Sequence, residues 1–375
     1  MGIGETGTGK TGKTTLQLCA ESAKLAIEDA GLKLSDIDGL LTAYPWEEPY
    51  LMHSNVLAEY LGITTDYTAT LAVGGASPAV MVGHAAACIA EGVCDTVVAV
   101  MASNRASGLG RDKAIQMLAQ VGHPQFEDPY GPTIPSLYAL VAQRHMHEFG
   151  TTPEQLAAIA VSQRNFASKK EGAVMRTPIT IADVLNAKMV ATPLHMLDCC
   201  LVSDFGGAVV VTSAERAKSL RKQPVYVLGV GEGHTHEHIT WAPSLTSFGC
   251  KISGERAFKM AGLTPKDVDV AELYDCFTIT ALIELEDLGF CGKGEGGPFV
   301  ESGRRIGLGG NLPMNTNGGM LSFATGGIFH ITEAVSQLRG EAGERQVKDA
   351  KVAVAHGNGG ILSAHATLVL GTERI

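Results

Sequence analysis

Residues 67 to 101 carry the pattern that most narrows the choice of fold. Tyr67 to Val73 reads as a strand, Gly74-Gly75 as a turn, Ser77-Pro78 as the opening of an Ala-rich helix running to about Glu91, and Thr96 to Met101 as a continuous apolar run. Proline in the first turn suits a helix start. An uninterrupted apolar run of this length suits a strand buried on both faces. Strand, glycine turn, small-residue helix and strand make a βαβ unit, so the chain is expected to hold a sheet covered by helices.

At 375 residues the chain exceeds what one hydrophobic core usually holds, so two domains or one α/β body of two halves are expected. A helix is expected from Leu16 to Leu32, stopped by Gly31, and a short helix from Leu57 to Leu61. Residues 104 to 192 lose the alternation, carry helices at Ser136 to Phe149 and Glu154 to Ser168, and read as an insertion over one face of the sheet. Apolar strands return at Gly207 to Thr212 and Val225 to Val230. A strand at Val268 to Leu273 follows, then helices at Thr278 to Leu288 and Ile328 to Leu338, and strands at Val352 to Ala355 and Ala366 to Leu370. Gly206-Gly207-Ala208 and Gly359-Gly360-Ile361 echo each other, as do Gly74-Gly75 and Gly318-Gly319, which suggests a duplicated half. The expected division is 1–222 and 223–375.

Glycine supplies 45 of the 375 residues without a Gly-X-Y period, which points to backbone packed closely on backbone or on a ligand. Against 29 Lys and Arg stand 39 Asp and Glu, a formal charge of -10 that disfavours a nucleic-acid backbone binder. The eight cysteines lie mostly in apolar stretches without paired CxxC units, as in a reduced cytosolic protein, and no metal centre is expected. The chain shows neither a leader pattern nor a run of about 18 apolar residues, so a cytoplasmic protein without a membrane span is expected.

Two short motifs mislead. Gly4 to Thr11 satisfies GxxxxGK[ST], but only Met1-Gly2-Ile3 precedes it where a phosphate loop needs a buried strand, so an edge strand and polar loop are expected instead. Asp204-Phe205-Gly206 spells a kinase triplet without kinase context.

Other segments together resemble the thiolase superfamily, in the branch of sterol carrier protein X thiolases and acetyl-CoA acetyltransferase-like proteins. They are Gly2 to Thr6, Ser35 to Gly39, Gly74 to Ser77, Pro193 to Cys199, Ser203-Asp204, Glu272 to Phe277, Asn315 to Gly319, Gln337 to Gly340 and His356 to Gly360. The resemblance implies an α/β fold of two similar halves in five α-β-α-β-α layers. It also implies a homodimer and an acyl-CoA site between halves, with coenzyme A entering as thioester substrate and no tightly bound cofactor.

A thiolase of this kind would hold a nucleophilic cysteine at the N-terminus of the helix from Ala76 to Glu91. By the resemblance Gly75 stands in that place. Ser77 is a candidate nucleophile and equally a helix cap. The family's Gly-His-Pro is replaced by Leu321 to Ile328, leaving His330 either recruited to catalysis or packed. Tyr274 matches a residue that helps bind the thioester oxygen and could donate its phenolic proton or, with a lowered pKa, act as a base; a satisfied core tyrosine is the alternative. His356 matches an acid/base cysteine in a glycine-rich loop, or is a packed histidine. Gly75, Asp275, Asn317, Gly318, Gly319 and Gly359 are the expected substrate-binding positions, and Arg164, Lys169 and Lys170 the candidate phosphate partners.

Without the cysteine, such a cavity could still stabilise the enolate released when a β-hydroxyacyl-CoA breaks between its α and β carbons. Some thiolase-like proteins lacking it are steroid side-chain aldolases with a small zinc-ribbon and OB-fold partner. They carry another tyrosine where this chain has Phe323 to Phe329. The expected activity is therefore retro-aldol cleavage, with a thiolase-like acyltransferase and a noncatalytic acyl-CoA or lipid-binding subunit as alternatives.

Overall fold

The computed structural model describes residues 1–110 and 122–374. Residues 111–121, within the expected insertion, lie outside the described residues. Two mixed sheets carry the fold. The first contains β1 (Gly2–Glu5), β2 (Gly39–Ala43), β3 (Tyr67–Leu71), β4 (Thr96–Ser103) and β7 (Phe205–Thr212) in the order β1-β7-β4-β2-β3. A small ladder joins β5 (Met189–Ala191) to β6 (Leu194–His195). The second sheet contains β8 (Tyr226–His234), β9 (Val270–Glu272), β10 (Val352–Gly359) and β11 (Ala364–Gly371) in the order β8-β11-β10-β9.

The two sheets repeat one plan. From β1 inward the pairings run antiparallel, antiparallel, parallel, and from β8 inward they run the same way. Helix α1 (Thr15–Ala30) covers the outer face of the first sheet with α2 (His53–Leu61), while helix Gly249–Ala261 covers β8 and β11 of the second. Helix α3 (Ser77–Ala90) and helix Ile328–Leu338 lie between the sheets and touch both. The result is the five-layer α-β-α-β-α arrangement. Alternate glycines of the outer strands, Gly2 and Gly4 of β1 and Gly229, Gly231 and Gly233 of β8, face the covering helices. A Cβ on Gly229, Gly231 or Gly233 would overlap the carbonyl oxygens of Ala257, Ser253 and Gly249, so the helix axis can approach the sheet only over bare backbone.

A repeat at the level of side chains accompanies the layers. Ala30-Gly31-Leu32 leads to Asp36-Ile37-Asp38, and Ala261-Gly262-Leu263 leads to Asp267-Val268-Asp269. Both glycines are left-handed helix C-caps. Asp38 accepts from the amides of Asp95 and Thr96, each at 2.8 Å, and Asp269 from those of Lys351 and Val352 at 2.7 and 3.0 Å. Each aspartate thus ties the start of a parallel strand pair.

Three expectations shift. The segment after Val352 was expected to leave the sheet at His356, yet β10 continues to Gly359 because His356, Gly357, Asn358 and Gly359 pair with Thr367, Ala366, His365 and Ala364. Helix α2 begins one turn before Leu57. The expected insertion does not simply cover a sheet face, since Leu137, Tyr138, Leu156 and Ile159 share one core with Leu273, Ile279 and Leu282 of the second half. No helix among the described residues is long and apolar enough to cross a membrane.

Candidate functional site

Gly74–Ala76 forms a tight turn ahead of α3, and backbone from three other places presses on it. A Cβ on Gly74 would meet Gly359, one on Gly357 would meet Ala76 Cα at 2.9 Å, and one on Gly327 would overlap the Gly75 carbonyl oxygen. The turn belongs to the first half and the other three glycines to the second. Their meeting places Tyr274 at the helix start. A Cβ on Gly75 would overlap the Tyr274 hydroxyl and ring, so the phenol fills the space into which any side chain at position 75 would project.

Tyr274 is held by the strand before it and the loop beside it. Asn315, at φ 52°, donates from Nδ2 to Leu273 O at 2.8 Å and accepts from Leu273 N at 2.7 Å. The Thr316 hydroxyl lies 2.8 Å from both Glu272 Oε1 and Glu333 Oε1, with its one proton to share between them, and its amide donates to Glu272 Oε1 at 3.1 Å. Asp275 accepts from Met320 N at 2.9 Å and Leu321 N at 3.2 Å. Burial pushes the Tyr274 phenol well above the usual tyrosine range, so Tyr274 is a neutral donor and the alternative of a lowered, basic phenol does not hold.

Two cavities meet at this phenol. One of about 760 Å³ is lined by Gly75, Tyr274, Tyr138, Cys276, Asn358 and Thr325, among others, and a narrower one of about 100 Å³ shares Gly75, Tyr274, Arg105 and Thr325 and adds Ser77. The larger is mainly apolar, with Lys10 and Arg105 as the cations among its lining. Sequence reasoning missed Tyr138, Cys276, Asn358, Lys10 and Arg105. Lys10 belongs to the false phosphate loop, whose residue Thr11 is bound through its amide to Asp204 at 2.8 Å. Asn358 donates to Tyr138 Oη at 3.2 Å, while its own Oδ1 has no partner among the described residues. The signal for Asn358 lies in the motif His356 to Gly360.

The other expected residues divide. His330 is buried behind Tyr274, with ring centroids 6.0 Å apart and Nε2 3.6 Å from Asp275 Oδ1. Neither ring nitrogen has a hydrogen-bond partner among the described residues. Burial lowers its pKa to about 3 and raises that of Asp275 to about 7. Ser77 is buried and its Oγ accepts from Val73 N at 3.2 Å, the arrangement of a turn-stabilising serine. Asn317 closes its own turn, accepting from Gly319 N at 2.7 Å, and Gly318 and Gly319 lie against Ala167 and Asp275. These three shape the loop without lining either cavity; Gly359 lines the larger one. His356 sits in β10 with Nδ1 2.8 Å from Thr367 Oγ1 and Nε2 3.0 Å from His365 Nδ1, so both nitrogens are engaged away from the cavity lining.

The candidate phosphate partners lie elsewhere. Arg164 is buried and spans Ser322 Oγ and Thr177 O at 2.8 and 3.1 Å, and Lys170 pairs with Glu5 at 2.9 Å. Lys169 lines a separate cleft with Arg304.

Residues 231–372 match the family model of the thiolase C-terminal domain. An acetyl-CoA acetyltransferase of Methanothermobacter thermautotrophicus is 33% identical over 377 residues, covering 97% of both chains. A 17-hydroxy-3-oxo-4-pregnene-20-carboxyl-CoA lyase of Mycobacterium tuberculosis is 37% identical over 358 residues, covering 91% of both chains. Among solved structures, the Ltp2-ChsH2(DUF35) aldolase superposes with a TM-score of 0.88 at 34% identity, covering 99% of this chain and 96% of that one.

Proposed function

The chain belongs to the thiolase superfamily, and we propose that within it this protein is a carbon-carbon lyase that cleaves a β-hydroxyacyl-CoA by a retro-aldol reaction. One observation carries the reading: a neutral phenol fills the space at the head of α3 into which a side chain at position 75 would project. Such a site can polarise a thioester oxygen, Gly75 brings no thiol to the helix start, and burial raises the pKa of the Cys276 thiol in the cavity lining.

In the reaction the β-hydroxyl loses its proton, its oxygen becomes a carbonyl, and the bond between the α and β carbons breaks. The electron pair moves onto the thioester as an enolate, which is then protonated at the α carbon. Tyr274 donates to the enolate oxygen where charge develops, a role that a phenol held neutral by burial performs without first losing its proton. The hydroxyl proton passes to solvent in the cavity, and His330, which lines neither cavity and whose pKa burial lowers to about 3, is assigned as a positioning residue behind Tyr274. Its ring lies 6.0 Å from that of Tyr274 and backs the phenol. The products are an aldehyde or ketone and a shortened acyl-CoA, without consumption of free coenzyme A.

The lyase and aldolase relatives support this chemistry, and the steroid named in one of them makes a bulky side-chain thioester the first substrate class to try. The Ltp2-ChsH2(DUF35) aldolase has two named components, and the same reading gives this chain a small zinc-ribbon and OB-fold partner, a homodimeric state and a cytoplasmic location. It also divides the chain into halves 1–222 and 223–375, with the inserted segment 104–192 in the first.

The test is turnover of paired thioesters by the purified protein, alone and with its co-purifying partner. Cleavage of β-hydroxyacyl-CoA without added coenzyme A is expected. Cleavage confined to β-ketoacyl-CoA and dependent on coenzyme A would overturn the reading. The acetyltransferase relative keeps an acyltransferase as second reading, with Ser77 as its nucleophile; a stable acyl adduct on Ser77 by intact-protein mass spectrometry would favour it. Tight acyl-CoA binding with no turnover, unchanged by Tyr274→Phe, would favour a binding subunit.

A further inference from the structure

None of Cys250, Glu284, His356 and His365 lines either cavity, yet they converge in the second half. The register of β10 and β11 sets His356 opposite Thr367 and Asn358 opposite His365, so the two histidines are diagonal neighbours on one face of the sheet. Cys250 lies in the first turn of helix Gly249–Ala261, and Glu284 on helix Thr278–Asp287. All four are buried.

The hydrogen bonds around the histidines fix which nitrogens are available. Leu362 O can only accept, so its 3.0 Å bond puts the proton of neutral His365 on Nε2 and leaves a lone pair on Nδ1. The contact with the bare His365 Nδ1 places the His356 proton on Nε2, but Nδ1 is 2.8 Å from Thr367 Oγ1, a hydroxyl able to accept, so that proton can move to Nδ1 and free the Nε2 lone pair for a cation. His356 Nε2 and His365 Nδ1 are 3.0 Å apart. One ring nitrogen of each histidine and Cys250 Sγ all lie within 4.8 Å of one another. Zinc bonds of about 2.0–2.1 Å to nitrogen and 2.3 Å to sulfur imply tetrahedral edges of about 3.3–3.7 Å, which modest side-chain movements would reach.

A second, independent observation points to a ligand there. Glu284 is fully buried and neither carboxylate oxygen has a hydrogen-bond partner among the described residues, while Oε1 is 3.7 Å from His356 Nε2. A buried, unpartnered carboxyl group is costly unless something completes it. One divalent cation would do so. Thiolate, carboxylate and two neutral imidazoles leave the loaded site without net charge.

We propose that Cys250, Glu284, His356 and His365 bind one divalent cation of the zinc class. On loading, the Cys250 thiol gives its proton to solvent, Glu284 binds as carboxylate, and the His356 proton resides on Nδ1 facing Thr367. Thr367 and Leu362 O then orient the two rings from behind, as the outer partners of metal-bound histidines do. The ion would fasten helices Gly249–Ala261 and Thr278–Asp287 to β10 and β11.

The experiment uses the full-length protein, stripped with a chelator and titrated with Zn²⁺ or Co²⁺. One equivalent retained after gel filtration is expected, and the cobalt form should show a thiolate-to-metal charge-transfer band. Cys250→Ser should abolish that band, His365→Asn should weaken binding at least about 10-fold, and Thr367→Val should weaken it about 10- to 100-fold. Substoichiometric retention, a cobalt spectrum without charge transfer, or a band that survives in Cys250→Ser would overturn the proposal. Where a variant fails to fold, zinc-edge X-ray absorption of the wild-type protein decides: one sulfur with nitrogen and oxygen neighbours supports the site, and a shell without sulfur rejects it. None of these readouts depends on lyase turnover.

Discussion

Gly75 and Tyr274 behave as one unit, because the space missing at the glycine is the space the phenol occupies. Tyr274→Phe keeps the ring and removes only the donor. Its kcat for β-hydroxyacyl-CoA cleavage should fall about 100- to 1,000-fold, with KM much less changed, since the lost interaction forms mainly with the enolate. Steady-state kinetics on both parameters check this, and an equal loss in KM with kcat intact would instead mark Tyr274 as a binding residue. Gly75→Cys tests the same unit from the other side. The new side chain must displace the phenol, so the lyase activity should drop by a comparable factor in a protein that remains folded by circular dichroism. The sequence exposed both residues, Gly75 through its place before a helix and Tyr274 through the motif around Asp275. That they compete for one volume was not legible, because 199 positions separate them and only the packing of Gly327, Gly357 and Gly359 brings them together.

Elements were most readable where apolar periodicity was strong, as in α1, β4 and helix Ile328–Leu338. They were least readable where glycine or histidine replaced it. β10 runs through His356-Gly357-Asn358-Gly359, four residues with little strand propensity that stay in the sheet because β11 supplies their partners. Helix α2 begins at His53, whose imidazole is buried rather than solvated. Its Nδ1 has no partner among the described residues, Nε2 is 3.8 Å from Cys19 Sγ, and burial lowers its pKa to about 4. An unfolded histidine takes up its proton near pH 6.5, whereas this one resists until about pH 4. Between those values the unfolded state binds more protons, so the stabilisation present above pH 6.5 is lost as pH falls through this window. A drop of roughly 3 kcal/mol from this group alone is the expected order. Urea unfolding of wild-type and His53→Gln proteins at pH 7 and pH 4.5 should show a smaller acid-induced loss in the variant; equal losses would remove His53 as a source.

At the scale of the whole molecule, duplication builds the cavity. The paired glycines hinted at two halves, but the firmer signal was the recurrence of Ala-Gly-Leu followed by Asp-Ile-Asp or Asp-Val-Asp, whose meaning emerges only when Asp38 and Asp269 are seen capping equivalent strands. Equivalent roles should carry similar energies, so Asp38→Ala and Asp269→Ala should each cost about 1–2 kcal/mol in denaturant unfolding. A large inequality would mean that the likeness is one of form only. The halves meet at the Gly74-Gly75 turn, and the large cavity draws Lys10 and Arg105 from the first and Tyr274, Thr325 and Asn358 from the second. Arg105 is already paired with Glu47 at 2.9 Å, whereas Lys10 is exposed at the cavity. Under the proposed function, Lys10 is the lining cation left to meet a phosphate of an entering CoA thioester. Interactions made equally in ground and transition states change KM and leave kcat alone. Lys10→Ala should accordingly raise KM for acyl-CoA about 3- to 10-fold at low salt with kcat preserved, and the gap from wild type should close as ionic strength rises and screens the pair. A kcat effect of similar size, or a KM difference indifferent to salt, would place Lys10 outside the path of the phosphates.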